Sequence, residues 1–193
     1  MKRYWGLALI GLLLNGCATH PSIPADPARD EVHLRALDAW TFDGRIALYN
    51  DAEVWNADLR WRQQGPRYDI HLSGPFGQGR ARIRGDADGV TLETAERTRR
   101  GRDPETLFNQ TLGWRIPVNG LQWWIRGLSA PSAQTNALLD AQGRLQRLRQ
   151  DGWDIQFKRY VVVDGLALPG KVFLENPEWT VRLVIQDWRL PAR

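Results

Sequence analysis

Residues able to do acid–base or metal chemistry are few and scattered in this sequence. The three histidines, His20, His33 and His71, fall in a proline-rich segment, a predicted helix and the polar face of a predicted strand. None has a carboxylate or thiol at a spacing typical of a catalytic triad or a metal site. No glycine-rich phosphate loop lies between a predicted strand and a predicted helix. We therefore predict that the protein is not an enzyme and uses no metal and no cofactor.

The single cysteine, Cys17, follows a segment typical of a bacterial export signal. Lys2 and Arg3 precede the apolar run Trp5–Leu14, which is too short to span a membrane as a mature helix. The run leads into Leu14-Asn15-Gly16-Cys17, which resembles the lipobox of bacterial lipoproteins. In that motif the thiol forms a thioether to diacylglycerol, and the cysteine becomes the acylated first residue of the mature chain. The alternative is an ordinary secretory signal with a chance cysteine.

These observations divide the chain into three parts. Residues 1–16 are the predicted lipoprotein signal peptide, residues 17–29 a lipidated flexible tether with three prolines, and residues 30–193 a single domain. Ala18 stands where lipoproteins retained in the inner membrane usually have aspartate, so the resemblance to bacterial lipoproteins implies an outer-membrane location. Without Lys2 and Arg3 the formal net charge falls from +4 to about +2, which argues against nucleic-acid binding.

The segment Ile116–Leu128 (IPVNGLQWWIRGL) predicts a short, very apolar helix. Its apolar residues recur at spacings of three and four, and Asn119 with Gln122 could cap the first turn, while Gly127 offers a stop. Strands are predicted on both sides, so this helix would fill the concave side of a curved sheet. The alternative is that the helix is simply core.

The strands are predicted from runs in which apolar and polar residues alternate. They are Gly44–Asn50, Glu53–Gln64, Arg67–Ser73, Arg80–Gly85, Gly89–Ala95, Arg144–Gln150, Trp153–Val163, Gly170–Glu175 and Trp179–Ile185. Further helices are predicted from Pro27 through Glu31–Trp40 and from Asp103 to about Leu112. The basic run Arg97–Arg102 is predicted as a solvated loop, with docking of an acidic partner or of anionic head groups as the alternative.

One predicted hairpin tip carries an unusual side chain. Phe76 lies between Gly74-Pro75 and Gly77, although turn tips are normally polar because an exposed phenylalanine forfeits roughly 1.5–3 kcal/mol of burial. Pro75 is rigid and the glycines leave the ring uncovered, which predicts that it projects. The alternative is that Phe76 folds back onto the core.

Four features of the sequence resemble the LolB family of outer-membrane lipoprotein receptors. They are the lipobox, the block of alternating strands, the Gly-Pro-hydrophobic-Gly tip and the segment IPVNGLQWWIRGL. The resemblance implies an α+β fold, mostly β with a few helices: an open, strongly curved antiparallel β-barrel with helices that lid a hydrophobic cavity. It also implies that Gly74, Pro75, Phe76 and Gly77 form a membrane transfer loop, with Phe76 where the family usually has leucine. Cavity residues are expected to include Trp55, Leu59, Trp61, Trp124 and Ile125.

The function implied by the resemblance is receipt of lipoproteins from the periplasmic carrier LolA and their insertion into the outer membrane. The expected partners are that carrier, cargo lipoproteins and outer-membrane lipid, and the protein is expected to be a monomer on the periplasmic face. Two alternatives remain open at this point. The soluble carrier would have no lipid anchor, unlike a chain with Cys17, and a structural or partner-binding outer-membrane lipoprotein would transfer no lipid.

Overall fold

The structure is a computed structural model that describes residues 27–75, 79–131 and 135–191. It contains three helices, α1 (Pro27–Ala36), α2 (Pro104–Leu112) and α3 (Val118–Trp124). The first six strands are β1 (Ala39–Tyr49), β2 (Val54–Gln64), β3 (Arg67–Ser73), β4 (Ala81–Gly85), β5 (Val90–Thr94) and β6 (Thr98–Gly101). Five more follow the second and third helices: β7 (Asn136–Leu139), β8 (Leu145–Gln150), β9 (Trp153–Val163), β10 (Leu166–Glu175) and β11 (Thr180–Arg189).

All eleven strands form one antiparallel sheet in the order β6-β5-β4-β3-β2-β1-β11-β10-β9-β8-β7. Consecutive strands pair as hairpins within each half, and β1 pairs with β11 from Thr41↔Arg189 to Tyr49↔Thr180 to join the halves. Among the described strands β6 and β7 are the edges and do not pair with each other, so the sheet stays open. This agrees with the predicted fold class, mostly β with a few helices and an open antiparallel sheet.

The two faces of the sheet differ as the alternation of the sequence requires. Strand β2 shows it best, because Ala57, Leu59 and Trp61 are buried while the residues between them are exposed. The inner face carries the core, and buried residues of α2 and α3 pack into that same core. Since α2 and α3 lie between β6 and β7 in sequence, they connect the two edges of the sheet.

At the centre of the sheet, the pairing of β1 with β11 shifts register between Asp43 and Gly44, where Gln186 on β11 has no residue opposite it. A Cβ atom at Gly44 would overlap the carbonyl oxygen of Val184 on β11. Glycine therefore permits the close approach of the two backbones at the junction of the halves.

Several boundaries differ from the sequence predictions. The helix predicted over Ile116–Leu128 is only Val118–Trp124, and its N-cap residue, Pro117, makes no side-chain capping hydrogen bond. Gln122 Nε2 donates to the carbonyl of Asn119, so the predicted cap between these residues does not form. The stop at Gly127 is confirmed, since its φ is +78° and its N–H donates to Trp124 O.

Two further predictions are wrong, and one strand was not predicted. Trp40, predicted on the first helix, lies in β1. The basic run Arg97–Arg102, predicted as a loop, supplies the edge strand β6. Strand β7 was not predicted.

The structure begins α1 at Pro27 and α2 at Pro104, as predicted, and Asp103 Oδ2 accepts a hydrogen bond from the N–H of Thr106. No helix in the described ranges is long and apolar enough to cross a bilayer.

Candidate functional site

The inner face of β1, β2 and β11 carries a layer of aromatic rings. Trp61 lies 5.5 Å from Trp40 and 6.2 Å from Phe42, measured between ring centroids. Trp188 completes the layer at 5.1 Å from Phe42. The indole N–H of Trp61 donates to Gln63 Oε1 at 3.0 Å, so the polar atom of this buried ring is satisfied. The layer is a large apolar surface on the inner face of the sheet.

A second aromatic contact lies at the end of the sheet nearest the predicted transfer loop. The ring of Trp55 is 4.4 Å from that of Trp114, in the segment joining α2 to α3. Trp55 is partly buried, and a Cβ at Gly79 would lie 3.8 Å from its Nε1. Arg115, next to Trp114, forms an exposed ion pair of 3.1 Å with Glu178 in the β10–β11 turn. The rings of Trp55 and Trp114 thus cover the interior beside the loop.

Helix α3 is held to the sheet through a buried glutamine. Trp124 and Ile125 are fully buried, and Trp124 Nε1 donates to Gln150 Oε1 at 2.8 Å. The same amide accepts from the Ala130 N–H and donates to the Ala130 carbonyl and to Thr135 Oγ1. Because every polar atom of Gln150 has a partner, its burial is not costly and it fixes both the helix and the segment that follows it.

Arg126, two residues after α3, forms hydrogen bonds to the end of α1. Its Nε donates to Gln122 O, and its Nη1 donates to the carbonyls of Leu34 and Leu37, each at 2.9 Å. The guanidinium also lies 4.8 Å from the ring of Trp123. Burial lowers the pKa of Arg126 to about 10, so it stays charged at neutral pH. A cation is favourable here because the last carbonyls of a helix lack intrahelical partners.

Replacing Arg126 by methionine should lower the free energy of unfolding by about 2 kcal/mol, because two carbonyls near the end of α1 lose their donor. Arg126→Lys should restore little, since an ammonium cannot reproduce the fork of the guanidinium. Arg35→Met is the matched control: Arg35 lies 6.0 Å from the same Trp123 ring but is exposed. Urea unfolding would measure all three, and equal losses for Arg126→Met and Arg35→Met would contradict the role of Arg126.

The five predicted cavity residues belong to one hydrophobic core, but they do not form a single contiguous cluster within it. Trp61 lies in the aromatic layer, Trp55 lies beside Trp114, and Trp124 with Ile125 lies at the end of α3. Leu59 lies on β2 between the first two. All five belong to the interior, four as buried core and Trp55 packed against it. Binding of acyl chains by these residues stays a prediction.

The predicted transfer loop is described only at its base. Gly74 is buried and Pro75 is exposed, directly after β3. Phe76 and Gly77 lie outside the described residues, as does Cys17. The projection of Phe76 and the lipidation of Cys17 therefore stay predictions.

One histidine lies close to a carboxylate, which the sequence spacing did not suggest. On the outer face of β3, His71 Nε2 lies 3.0 Å from Asp69 Oδ1, and Arg82 binds the same carboxylate through two nitrogens. The hydrogen bond from Arg82 lowers the pKa of Asp69. The cation already occupies both carboxylate oxygens, so the group is a cross-strand ion pair. Within the described ranges no three His, Cys, Asp or Glu side chains are grouped to hold a metal.

The contacts that hold α3 involve residues that sequence reasoning missed: Trp114, Arg126 and Gln150. Gln150 left a weak signal, because it occupies an inward position two residues after Leu148 at the end of a strand. Arg126 left another, as a charged residue within an apolar helix. Neither signal identifies the partner, because both partners are remote in sequence.

The family described as "Outer membrane lipoprotein LolB" matches residues 38–188. The chain belongs to the LolB family. The outer-membrane lipoprotein LolB of Pseudomonas paraeruginosa is 41% identical over 92% of this chain and 91% of its own length. The LolB of Pseudomonas fluorescens is 39% identical over the same shares.

Solved structures support the fold assignment of this LolB-family chain. A LolA-superfamily protein of Nitrosomonas europaea superposes with a TM-score of 0.55 at 10% identity, covering 81% of this chain and 88% of that one. A DUF1329-family protein of Desulfovibrio piger gives 0.57 at 8% identity, covering 86% and 90%. At such low identity these likenesses concern the fold alone.

Proposed function

We propose that this LolB-family protein is an outer-membrane receptor that takes lipoproteins from a periplasmic carrier and inserts them into the outer membrane. The observation that supports this best is the inner face of the sheet. It is an extended surface of aromatic and aliphatic side chains, open at both sheet edges and covered by two short helices. Such a surface suits acyl chains, which need a large apolar area and no hydrogen bonds.

The cost of exposing acyl chains to water explains why a receptor is needed. Three chains of roughly sixteen carbons, at about 0.8 kcal/mol per methylene, amount to roughly 38 kcal/mol. A triacylated protein therefore cannot cross an aqueous space unaided. Transfer from one apolar site directly into another avoids this cost, and it runs downhill when each successive site binds more tightly.

Entry of acyl chains requires the inner side chains to separate from the helices. Helix α3 is attached by few polar contacts, chiefly Trp124 with Gln150 and Arg126 with α1. The Trp55–Trp114 contact lies at the loop end of the interior. We propose that chains enter there, between the sheet and the α2–α3 segment, and that Trp55, Leu59, Trp61, Trp124 and Ile125 contact them. LolA is the proposed donor.

The test is cargo transfer in solution. A lipoprotein loaded on the carrier LolA is mixed with the receptor, and the cargo bound by each is separated and quantified. Movement of cargo to the receptor, followed by its appearance in added liposomes, is the expected result. Cargo that stays on the carrier would overturn the proposal.

A second candidate is a structural outer-membrane lipoprotein with no transfer role. The packed interior favours it, because Trp124 and Ile125 are fully buried by protein side chains and protein cores normally contain few voids. Displacement of a fluorescent fatty acid by palmitate separates the candidates. Saturable binding supports the receptor, and absence of binding together with failed cargo transfer supports the structural protein.

The anchor has its own test. We expect Cys17 to be the mature N-terminus and to carry S-diacylglycerol and N-acyl lipid, because Leu14-Asn15-Gly16-Cys17 follows a short apolar run. Mass spectrometry of the membrane-extracted protein would show this directly. A mature chain with Cys17→Ser should be soluble and still accept cargo, since the buried core lies between Leu34 and Trp188. An unmodified N-terminus elsewhere would refute the anchor.

A further inference from the structure

The outer face of the sheet is not uniform in its charges. Over β1–β5 four arginines are paired with carboxylates on neighbouring strands, whereas Arg62 and Arg67 form no ion pair within the described residues. These pairs are Arg45–Asp58, Arg60–Asp43, Arg82–Asp69 and Arg84–Glu93, and Arg189 of β11 also pairs with Asp43. Cross-strand ion pairs of this kind neutralise the surface and fix the register.

The outer face of β9–β11 is different. Lys158, Lys171 and Arg182 surround the ring of Phe173, at 6.0, 5.3 and 5.3 Å from its centroid, and Arg182 also lies 5.1 Å from the ring of Tyr49. Within the described part of the chain none of these three cations forms an ion pair. We call these five residues the cation–aromatic patch.

The carboxylates nearest the patch leave it positive. Asp58 is paired with Arg45, and Asp154 with Arg147 and Arg149. Glu175, two residues after Phe173 on β10, is the remaining carboxylate on that strand end. The charge of Glu175 also acts on Arg147, so this one carboxylate does not neutralise the three cations of the patch.

The patch is continuous with the base of the predicted transfer loop. A groove of about 600 Å³ runs along the outer face, lined by Tyr49, Lys171, Phe173 and Arg182 and, at its other side, by Pro75. Its volume lies in the range of small-molecule sites. In the register of the sheet, Tyr49 faces Thr180 and Val54, so the patch and the loop lie at the same end of the sheet. Val54 is also exposed there.

We propose that the cation–aromatic patch docks the receptor on anionic phospholipid head groups, beside the point where the loop meets the bilayer. The inference rests on the proposed function. Lysine and arginine attract the anionic head groups, and tyrosine is enriched at membrane–water interfaces. Placed together at the loop, they orient the domain so that cargo leaves next to the membrane.

A membrane fits the patch better than the carrier protein does. The rings of Tyr49 and Phe173 are covered by cations, so they offer little bare apolar area for a protein hot spot, which needs desolvated anchors. The negative charge of the head groups is spread over the membrane surface, so binding to it requires only that cations lie near that surface.

The test is co-sedimentation of the mature chain, from residue 17 with Cys17→Ser, with phosphatidylcholine vesicles that do or do not contain phosphatidylglycerol. The substitution removes the anchor, which would otherwise dominate binding. The parent should bind the anionic vesicles more tightly, and the difference should shrink as salt rises. The double variant Lys171→Gln/Arg182→Gln should bind them about 25-fold more weakly, at about fivefold for each charge near the surface.

The matched control is Arg99→Gln/Arg100→Gln, which removes the same charge from exposed positions on β6, at the far edge of the sheet. It should weaken binding no more than about twofold, and Lys171→Arg should bind like the parent. Equal losses for the two double variants would show a net-charge effect and overturn the proposal.

A different failure would identify another partner. If Lys171→Gln/Arg182→Gln bound vesicles normally but accepted cargo from LolA slowly, the patch would be a carrier contact and not a membrane contact. Acceptance of cargo by the parent protein, with the patch unsubstituted, is measured in parallel. If the parent accepts no cargo, the proposed function fails regardless of vesicle binding, so the two failures are distinguishable.

Discussion

Phe76→Glu is expected to abolish delivery of cargo to membranes while leaving the domain folded. A carboxylate in the acyl region costs about 2.5–3.5 kcal/mol, so delivery should fall about 100-fold. Acceptance of cargo from the carrier should survive, because that step takes place in the interior. The measurements are cargo transfer to the receptor, cargo transfer to liposomes and a thermal melt.

Phe76→Leu is the control for this substitution. It restores the residue usual in the family, and it should deliver cargo at close to the parent rate with an unchanged melt. Normal delivery by Phe76→Glu would show that the loop is not the transfer element. Unfolding of Phe76→Glu would show that Phe76 is core.

Trp124→Ala is expected to produce the largest loss of stability, about 3–5 kcal/mol in urea unfolding. The ring is fully buried, and its removal leaves a void and takes away one of the two hydrogen bonds that Gln150 Oε1 accepts. Trp123→Ala, on the same helix but partly exposed, should lose about 1 kcal/mol.

The same variant tests whether α3 borders the acyl site. If it does, the void lies within reach of an acyl chain, and palmitate should raise the melting temperature of Trp124→Ala by more than that of the parent. Leu34→Ala, buried on α1 and not among the residues proposed to contact acyl chains, should lose stability without this extra response. Equal palmitate responses in both variants would place α3 outside the site.

Much of the sheet could be predicted, because strand alternation is a local property of the sequence. The bounds of β3 agree with the prediction at both ends, and β2 differs by one residue. Trp40 was placed on a helix because its spacing from Leu34 and Leu37 fits both a helix and the start of a strand. Strand β6 was missed because three exposed residues followed by a glycine show no alternation of apolar and polar side chains, and pairing with β5 defines it.

The candidate site was less predictable. An apolar helix on the inner face follows from Val118, Leu121 and Trp124 alone. The attachment of this helix does not follow from its own sequence, because Gln150 and the carbonyls near the end of α1 come close to it only in the folded protein. The cation–aromatic patch was also invisible, since Tyr49, Phe173 and Arg182 become neighbours only when β1 pairs with β11.

The pairing of β1 with β11 has a consequence for the order of folding during export. Every other pairing in the described sheet joins consecutive strands, whereas the central strand must wait for residues 180–189. Until then β1 and β10 both expose hydrogen-bonding edges, and contacts this distant in sequence form slowly. A chain threading into the periplasm N-terminus first would therefore hold two unfinished half-sheets until the final strand arrives, a period in which holding by a chaperone would prevent aggregation.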